Sequence, residues 1–366
     1  MLKFWKTFTL LLFIPQLALA AINIVVVAPQ EGEYQQYGKE LSEGVKIAAA
    51  EINANGGILG EQINIITADD RCDDIFAVSM AQMLTIRIQK EDKINLIIGP
   101  FCSNKLAEVS HIYHQAQIPQ ILPLPIRADI RNLPSSTIKL SGITTAQANV
   151  FFDYYLRNLN NQNTALVYSP HNYADTEIAA KVQQLFSVNN LSNKLTIYSF
   201  ANYNKNYDLM AKEILLNNKV IYIIGHEKEV AKLTRELKDR NSEIAIFTER
   251  NRLDKKYIQV LGDKQNDNYF LGLKNFKDNP NFAETLVNLR LKGKEISGLG
   301  VYGLAALNLW KNAVIKAQSL DGNKISETIN TNDFNMPWGK YSDIINQKNN
   351  VYKVFRLQDN EYIPMN

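Results

Sequence analysis

The chain has 366 residues, 40 Lys+Arg against 37 Asp+Glu, a net charge of +3, and 46% hydrophobic residues. Charge this close to neutral, scattered along the sequence, gives no electrostatic footprint for nucleic acid. The length exceeds the usual single-domain size, so two lobes with separate cores are expected.

Residues 1–20 read as a secretory signal. Lys3 and Lys6 form a basic start, an apolar run extends from about Phe8 to Leu19, and Ala18-Leu19-Ala20 is an A-x-A cleavage site that leaves Ala21 first. The run is short for a membrane span, which needs about 20 apolar residues. No cysteine stands at the cleavage point to carry a lipid. The mature chain, with 38 basic and 37 acidic residues, is therefore expected to be exported and soluble.

The mature sequence begins with a near-continuous apolar strand, Ala21–Ala28, of the kind a sheet buried on both faces requires. A helix from about Gly38 to Asn53 follows, with Leu41, Val45, Ala48, Ala49 and Ile52 on one face, and Asn55-Gly56-Gly57 stops it. A strand at Ile63–Thr67, a helix at Ile75–Ile88, a strand at Ile94–Ile98, a helix opening at Ser103 and a short strand at Ile121-Leu122-Pro123 complete an alternating series. That order predicts a parallel, doubly wound sheet with right-handed crossovers.

A second series starts near Ile143. Helices are expected at about Ala146–Leu159, Asp175–Phe186, Leu209–Leu216 and Glu227–Lys238, and strands at Thr164–Tyr168, Leu195–Phe200, Val220–Ile224, Ile244–Phe247 and Tyr269–Leu273. Helical pattern returns at Glu284–Leu291 and Gly298–Lys316, and the chain closes with strand-like pieces at Trp338–Ile344 and Val351–Leu357. Two doubly wound α/β lobes without a floppy linker suggest a hinge-closing clamp.

The two cysteines, Cys72 and Cys102, each fall just after a predicted strand, at the sheet edge where ligands bind in open α/β folds. In an exported protein they most simply form one disulfide; two free thiols are the alternative, and a metal site lacks a nearby histidine. Ser103 either caps its helix or offers the unpaired amides and hydroxyl of a helix start to a carboxylate. Tyr34, Tyr37 and Tyr173 follow the first strand of each lobe and make either an aromatic ligand wall or amphipathic surface.

Gly298-Leu299-Gly300-Val301-Tyr302-Gly303 fits G-x-G-x-x-G but lacks the preceding strand and the later acid, so it reads as close helix packing. His111 and His114 lie three apart on a helix with no third ligand at metal-binding spacing. None of the four histidines stands with a nucleophile motif such as G-x-S-x-G, and an enzyme reading has no centre. No catalytic residue, metal or cofactor is assigned.

Four segments together resemble the periplasmic leucine/isoleucine/valine-binding proteins, the amino-acid-binding components of ABC importers. They are Tyr37-Gly38, the run Ala50 to Gly60 (AEINANGGILG), Asp69-Asp70-Arg71-Cys72, and Ile97-Ile98-Gly99-Pro100-Phe101-Cys102-Ser103. The resemblance runs through most of the mature chain, with Met336-Pro337-Trp338-Gly339-Lys340 a weaker part of it. It implies the type I periplasmic-binding fold, two lobes joined by three crossing strands near Ser141–Thr144, Leu273–Phe276 and Pro337–Gly339. The lobes are then 21–142 plus 274–337 and 143–273 plus 338–366. It implies a Cys72–Cys102 disulfide, a carboxylate held at Cys102-Ser103, an aromatic wall of Tyr37 and Tyr173, and Glu249 as the acid for the ligand's ammonium. Its partners would be a small zwitterion and ABC permease subunits; the alternative is a ligand-sensing subunit docked on a membrane receptor.

The sequence departs from the family at Pro123-Leu124-Pro125-Ile126-Arg127-Ala128. Pro125 has no N–H to donate and Ile126 no hydroxyl. Arg127 is either a bidentate cation for an anion or a solvent-facing loop residue. His226 stands where the family often has small or aromatic residues.

Overall fold

The computed structural model describes residues 21–365 apart from 33, 89–92, 103, 129, 131, 250–254, 265, 275–279, 297, 347–350 and 360. The expected signal, residues 1–20, lies outside the described residues.

The first apolar run becomes β1 (Ile22–Val27), and its alternate side chains enter two different cores. Ile24 and Val26 join Leu41, Val45 and Trp310, whereas Val25 and Val27 join Ala77, Ala81 and Tyr113. A strand that buries both faces is apolar on both, which is why the run lacks alternation; its one polar residue, Asn23, donates Nδ2 to the Lys93 carbonyl at 3.2 Å and accepts from Asn64 Nδ2 at 2.9 Å. Around it the chain lays down α1 (Gln35–Ala54), β2 (Ile63–Ala68), α2 (Asp74–Ile88), β3 (Ile94–Ile98), α3 (Leu106–Gln115), β4 (Gln120–Leu122) and β5 (Thr137–Lys139). The sheet order is β2-β1-β3-β4-β5, with every pair parallel.

The second sheet is built from β6 (Thr164–Tyr168), β7 (Leu195–Ser199), β8 (Val220–Ile224), β9 (Ala245–Glu249) and β10 (Tyr269–Leu273), with α4 (Ala146–Asn158), α5 (Tyr173–Val188), α6 (Tyr207–Leu215), α7 (Glu227–Arg240) and α8 (Lys255–Leu261) between or before them. Ile221 and Ile223 of β8 face the core shared with α6 and α7, while Val220, Tyr222 and Ile224 face the core of α4 and α5. The chain then returns to the first sheet with α9 (Pro280–Leu291), α10 (Gly300–Ala317) and α11 (Gly322–Thr331), followed by the hairpin β11 (Asn335–Met336) and β12 (Gly339–Lys340) and by α12 (Tyr341–Ile345). It ends on the second sheet as β13 (Tyr352–Gln358) and β14 (Glu361–Pro364), both antiparallel to their neighbours, in the order β14-β13-β10-β9-β8-β6-β7.

The glycines of the 298–303 motif serve the packing of α10 on α1. A Cβ on Gly303 would collide with the Leu41 carbonyl oxygen, and one on Gly44 with the carbonyl oxygen of Gly300. The two backbones touch where both helices lack side chains.

Several expectations shift. The third helix begins at Leu106 rather than Ser103; ahead of it, the Asn104 amide donates to Asp74 Oδ1 at 2.7 Å. Trp338–Ile344 is no strand: it is one edge of the β11–β12 hairpin followed by α12, where Asp333 Oδ1 accepts from the Ser342 amide at 3.1 Å. Trp338, Tyr341 and Ile344 belong to the core of the first sheet. The helices α8 and α11 and the short strand β5 were not expected from the sequence.

Candidate ligand-binding site

In each sheet the chain steps from its first strand to opposite sides, so two successive loops diverge and leave a crevice at the C-terminal ends of the strands. In the first sheet the switch lies between β1 and β3, and in the second between β6 and β8. The loops that leave those four strands carry most of the sequence-derived candidates.

After β1, the first turn of α1 presents Tyr37, whose ring stacks on Phe101 after β3, centroids 6.3 Å apart and planes 9° from parallel. Cys72 and Cys102 are joined in a disulfide across the loops that follow β2 and β3. Asp70, wholly buried beneath them, accepts from the Cys72 amide at 3.2 Å. Ser103 lies outside the described residues. Its neighbour Asn104 is tied by both amides to the Asp74 carboxylate and accepts from Arg127 Nη1 at 2.8 Å through its Oδ1.

Arg127 reaches the other lobe. Its guanidinium lies 4.2 Å above the Tyr173 ring, which stands at the start of α5 behind the capping residue Asn172. Next to it, the Ala128 amide donates to Glu177 Oε2 at 3.1 Å, a second contact from the first sheet's loop to α5. Ile126 takes a different part: its side chain packs with Leu106 and Leu122, and its backbone bridges to the first interlobe crossing. The Ile126 amide donates to the Gly142 carbonyl at 3.1 Å and its own carbonyl accepts from Thr144 at 2.8 Å. Both backbone groups are thus engaged by the protein.

On the second sheet, Glu249 is the last residue of β9 and is 6% exposed. Its Oε1 accepts from Gln147 Nε2 at 2.6 Å, and Gln147, 4% exposed, sits in the first turn of α4 directly after the Ser141–Thr144 crossing. The sequence reading missed Gln147. His226, exposed after β8, N-caps α7 by accepting from the Lys228 amide at 3.4 Å. His114 is placed against Ser136 Oγ at 2.9 Å, and among the described residues no group of three His, Cys, Asp or Glu could hold a metal. An open cavity of about 490 Å³ beside α1, lined by Lys39, Glu43, Lys46 and Glu295, holds none of the candidate residues.

Burial pushes the Asp70 carboxyl up to about 6, against the pull of the Cys72 and Phe101 amides. Its Oδ2 and the buried Tyr113 hydroxyl each lack a hydrogen-bond partner among the described residues. The folded protein thus binds a proton at Asp70 more tightly than the unfolded chain, whose carboxyl titrates near 3.8. The favourable contribution is complete below that value and is lost as pH rises through about 6, a change of about 3 kcal/mol. Asp70→Asn keeps an acceptor for Cys72 and gives Tyr113 a donor. The stability difference between variant and wild type, from urea unfolding, should grow in the variant's favour between pH 4 and pH 6.5 and then level off. A difference independent of pH would contradict this.

A parallel sheet and a mostly parallel one, each with a switch-point crevice and linked by crossings, define a two-lobed solute-binding protein. A family model described as periplasmic binding protein matches residues 21–361, and the chain belongs to that family. It is similar to an amino acid binding protein of Pseudomonas aeruginosa, 26% identical over 332 residues and covering 88% of this chain and 86% of that one. A leucine-, isoleucine-, valine-, threonine- and alanine-binding protein of the same organism is 22% identical, with the same two shares covered. The crystal structure of a leucine-binding protein from Thermotoga maritima shares the fold at a TM-score of 0.75 and 19% identity, over 94% of this chain and 98% of that one. The members of this family bind solutes and are not enzymes. No described helix is long and apolar enough to cross a membrane.

Proposed function

We propose that the protein captures an α-amino acid or a related small zwitterion in the periplasm, as a monomer released by cleavage after Ala20, and delivers it to the permease of an ABC importer. The observation that carries the reading is the buried Glu249–Gln147 pair. A carboxylate kept out of water at a strand end, on the edge where ligands enter, is suited to receiving a cation. The disulfide-tied loops of the other lobe supply the anion end, with Cys102 as their anchor and Ser103 as the hydroxyl. Tyr37, stacked on Phe101, forms the wall beside them.

The ligand then bridges the lobes, and closure is a shift of a hinge equilibrium by as much as the bridging contacts differ between open and closed forms. We place the lobe boundaries at 142/143 and 273/274, with the third moved from 337/338 to the segment after Ile345. Arg127, Tyr173 and the Ala128–Glu177 hydrogen bond belong to the rim that meets on closure. Ile126 and His226 support this frame, through packing at the first crossing and through the cap of α7. Arg127→Met therefore lowers affinity for L-leucine and L-glutamate alike, by roughly fivefold, the scale of one cation–π contact. A loss confined to L-glutamate would make Arg127 a ligand-binding cation instead.

The test of the function is calorimetry of the mature chain against the standard L-amino acids. Saturable binding of at least one is expected. A folded protein silent across the whole panel would sink the reading.

A further inference from the structure

We propose that Gln147 is a positioning residue for the cation end of the cleft, acting through Glu249; this rests on the function proposed above. A carboxylate that must receive an ammonium needs a fixed rotamer, because each lost half-ångström weakens a charge-assisted hydrogen bond. Glu249 is the last residue of β9. Gln147 reaches it from another element, 102 residues away in sequence, and donates Nε2 to Oε1 at 2.6 Å.

Three features make this bond a device for recognition rather than incidental core packing. Both side chains are more than nine-tenths buried, so the bond is not diluted by water. The donor is neutral: an amide orients the carboxylate without placing a positive charge on it, as Lys or Arg at 147 would. Finally, Gln147 lies in the first turn of the helix that leaves the Ser141–Thr144 crossing, where Ser141 Oγ donates to the Pro123 carbonyl of the other lobe at 2.5 Å. The residue that aims the acid is thus attached to the strand about which the lobes turn.

A role through Glu249 is distinguished from a merely structural one by a double-mutant cycle. Dissociation constants for L-leucine and L-glutamate are measured by calorimetry on wild type, Gln147→Met, Glu249→Gln and the double variant, with thermal midpoints to confirm folding. For the tighter of the two probes, Gln147→Met alone should cost roughly tenfold, the scale of a hydrogen bond to a charged group. In the Glu249→Gln background the same change should cost less than about threefold, because the group it positions is no longer charged. Equal losses in both backgrounds, or no loss from Gln147→Met alone, would overturn the inference and leave the proposed function standing. A folded wild type silent across the whole panel of L-amino acids would overturn both.

Discussion

Glu249→Gln lowers the affinity for an α-amino acid by about two orders of magnitude and leaves the fold intact. The magnitude follows from burial. Breaking a buried, hydrogen-bonded charge pair costs about 2–5 kcal/mol, much of it from the partner charge left without a counterion. In the variant the ligand's ammonium would enter a site 6% exposed to solvent and find a neutral amide. The fold survives because Glu249 contributes charge rather than core volume: its neighbours on β9, Ile246 and Phe247, carry the packing and are wholly buried. The variant keeps an oxygen acceptor for Gln147 Nε2 and changes no core volume, so its thermal midpoint without ligand should not fall. Calorimetry with the tightest-binding amino acid checks the affinity, and a loss below about threefold would remove Glu249 from the site.

The second large effect comes from the disulfide. Changing Cys72 and Cys102 together to serine reopens a loop with a sequence separation of 30, worth roughly 3.5 kcal/mol in the chain-entropy model. For a lobe of this size that is a fall in thermal midpoint of about 10 °C. Local backbone adds to the argument. Arg71 and Cys72 both hold positive φ, 54° and 51°, a conformation that non-glycine residues adopt at a cost. Asp70 holds that turn by accepting from the Cys72 amide, and the disulfide ties it to the loop bearing Phe101. Ligand affinity should fall with stability, because Phe101 carries the stack on Tyr37. Thermal unfolding of the paired serine variant, and of wild type with reductant, measures the effect. An unchanged midpoint in both would show that the surrounding loops are held without the bond.

What the sequence revealed was whatever depends on local pattern. The strands buried on both faces were legible because such strands are apolar on both sides, as at Ile22–Val27, with Asn23 the one polar exception, and Val220–Ile224. The glycines at 298–303 were legible as packing because no strand precedes them. The elements missed are those set by distant partners. β5 is three residues long and exists through its register with β4. α11 shows few apolar residues, with Ile325 and Ile329 as its core contacts. Trp338–Ile344 reads as a strand by its β-branched and aromatic content, yet 338, 341 and 344 lie at helical spacing, and Asp333 holds the start of α12.

The site divides in the same way. Cys72, Cys102, Tyr37 and Glu249 stand just after strands or at a strand end, positions that can be read from the chain order alone. Gln147 could have been found only through one signal, a polar side chain in the first turn of a helix leaving a lobe crossing. Arg127 was legible as a departure, but its stacking on Tyr173 joins residues of two lobes and no local pattern contains it.

Small-angle X-ray scattering of the mature chain, with and without a saturating amino acid identified by calorimetry, tests the central claim most directly. If the ligand's two charges draw the lobes together, the radius of gyration decreases on binding in the wild type and does not change in Glu249→Gln at the same ligand concentration. Binding confirmed by calorimetry with no change in the wild-type scattering curve would contradict the clamp.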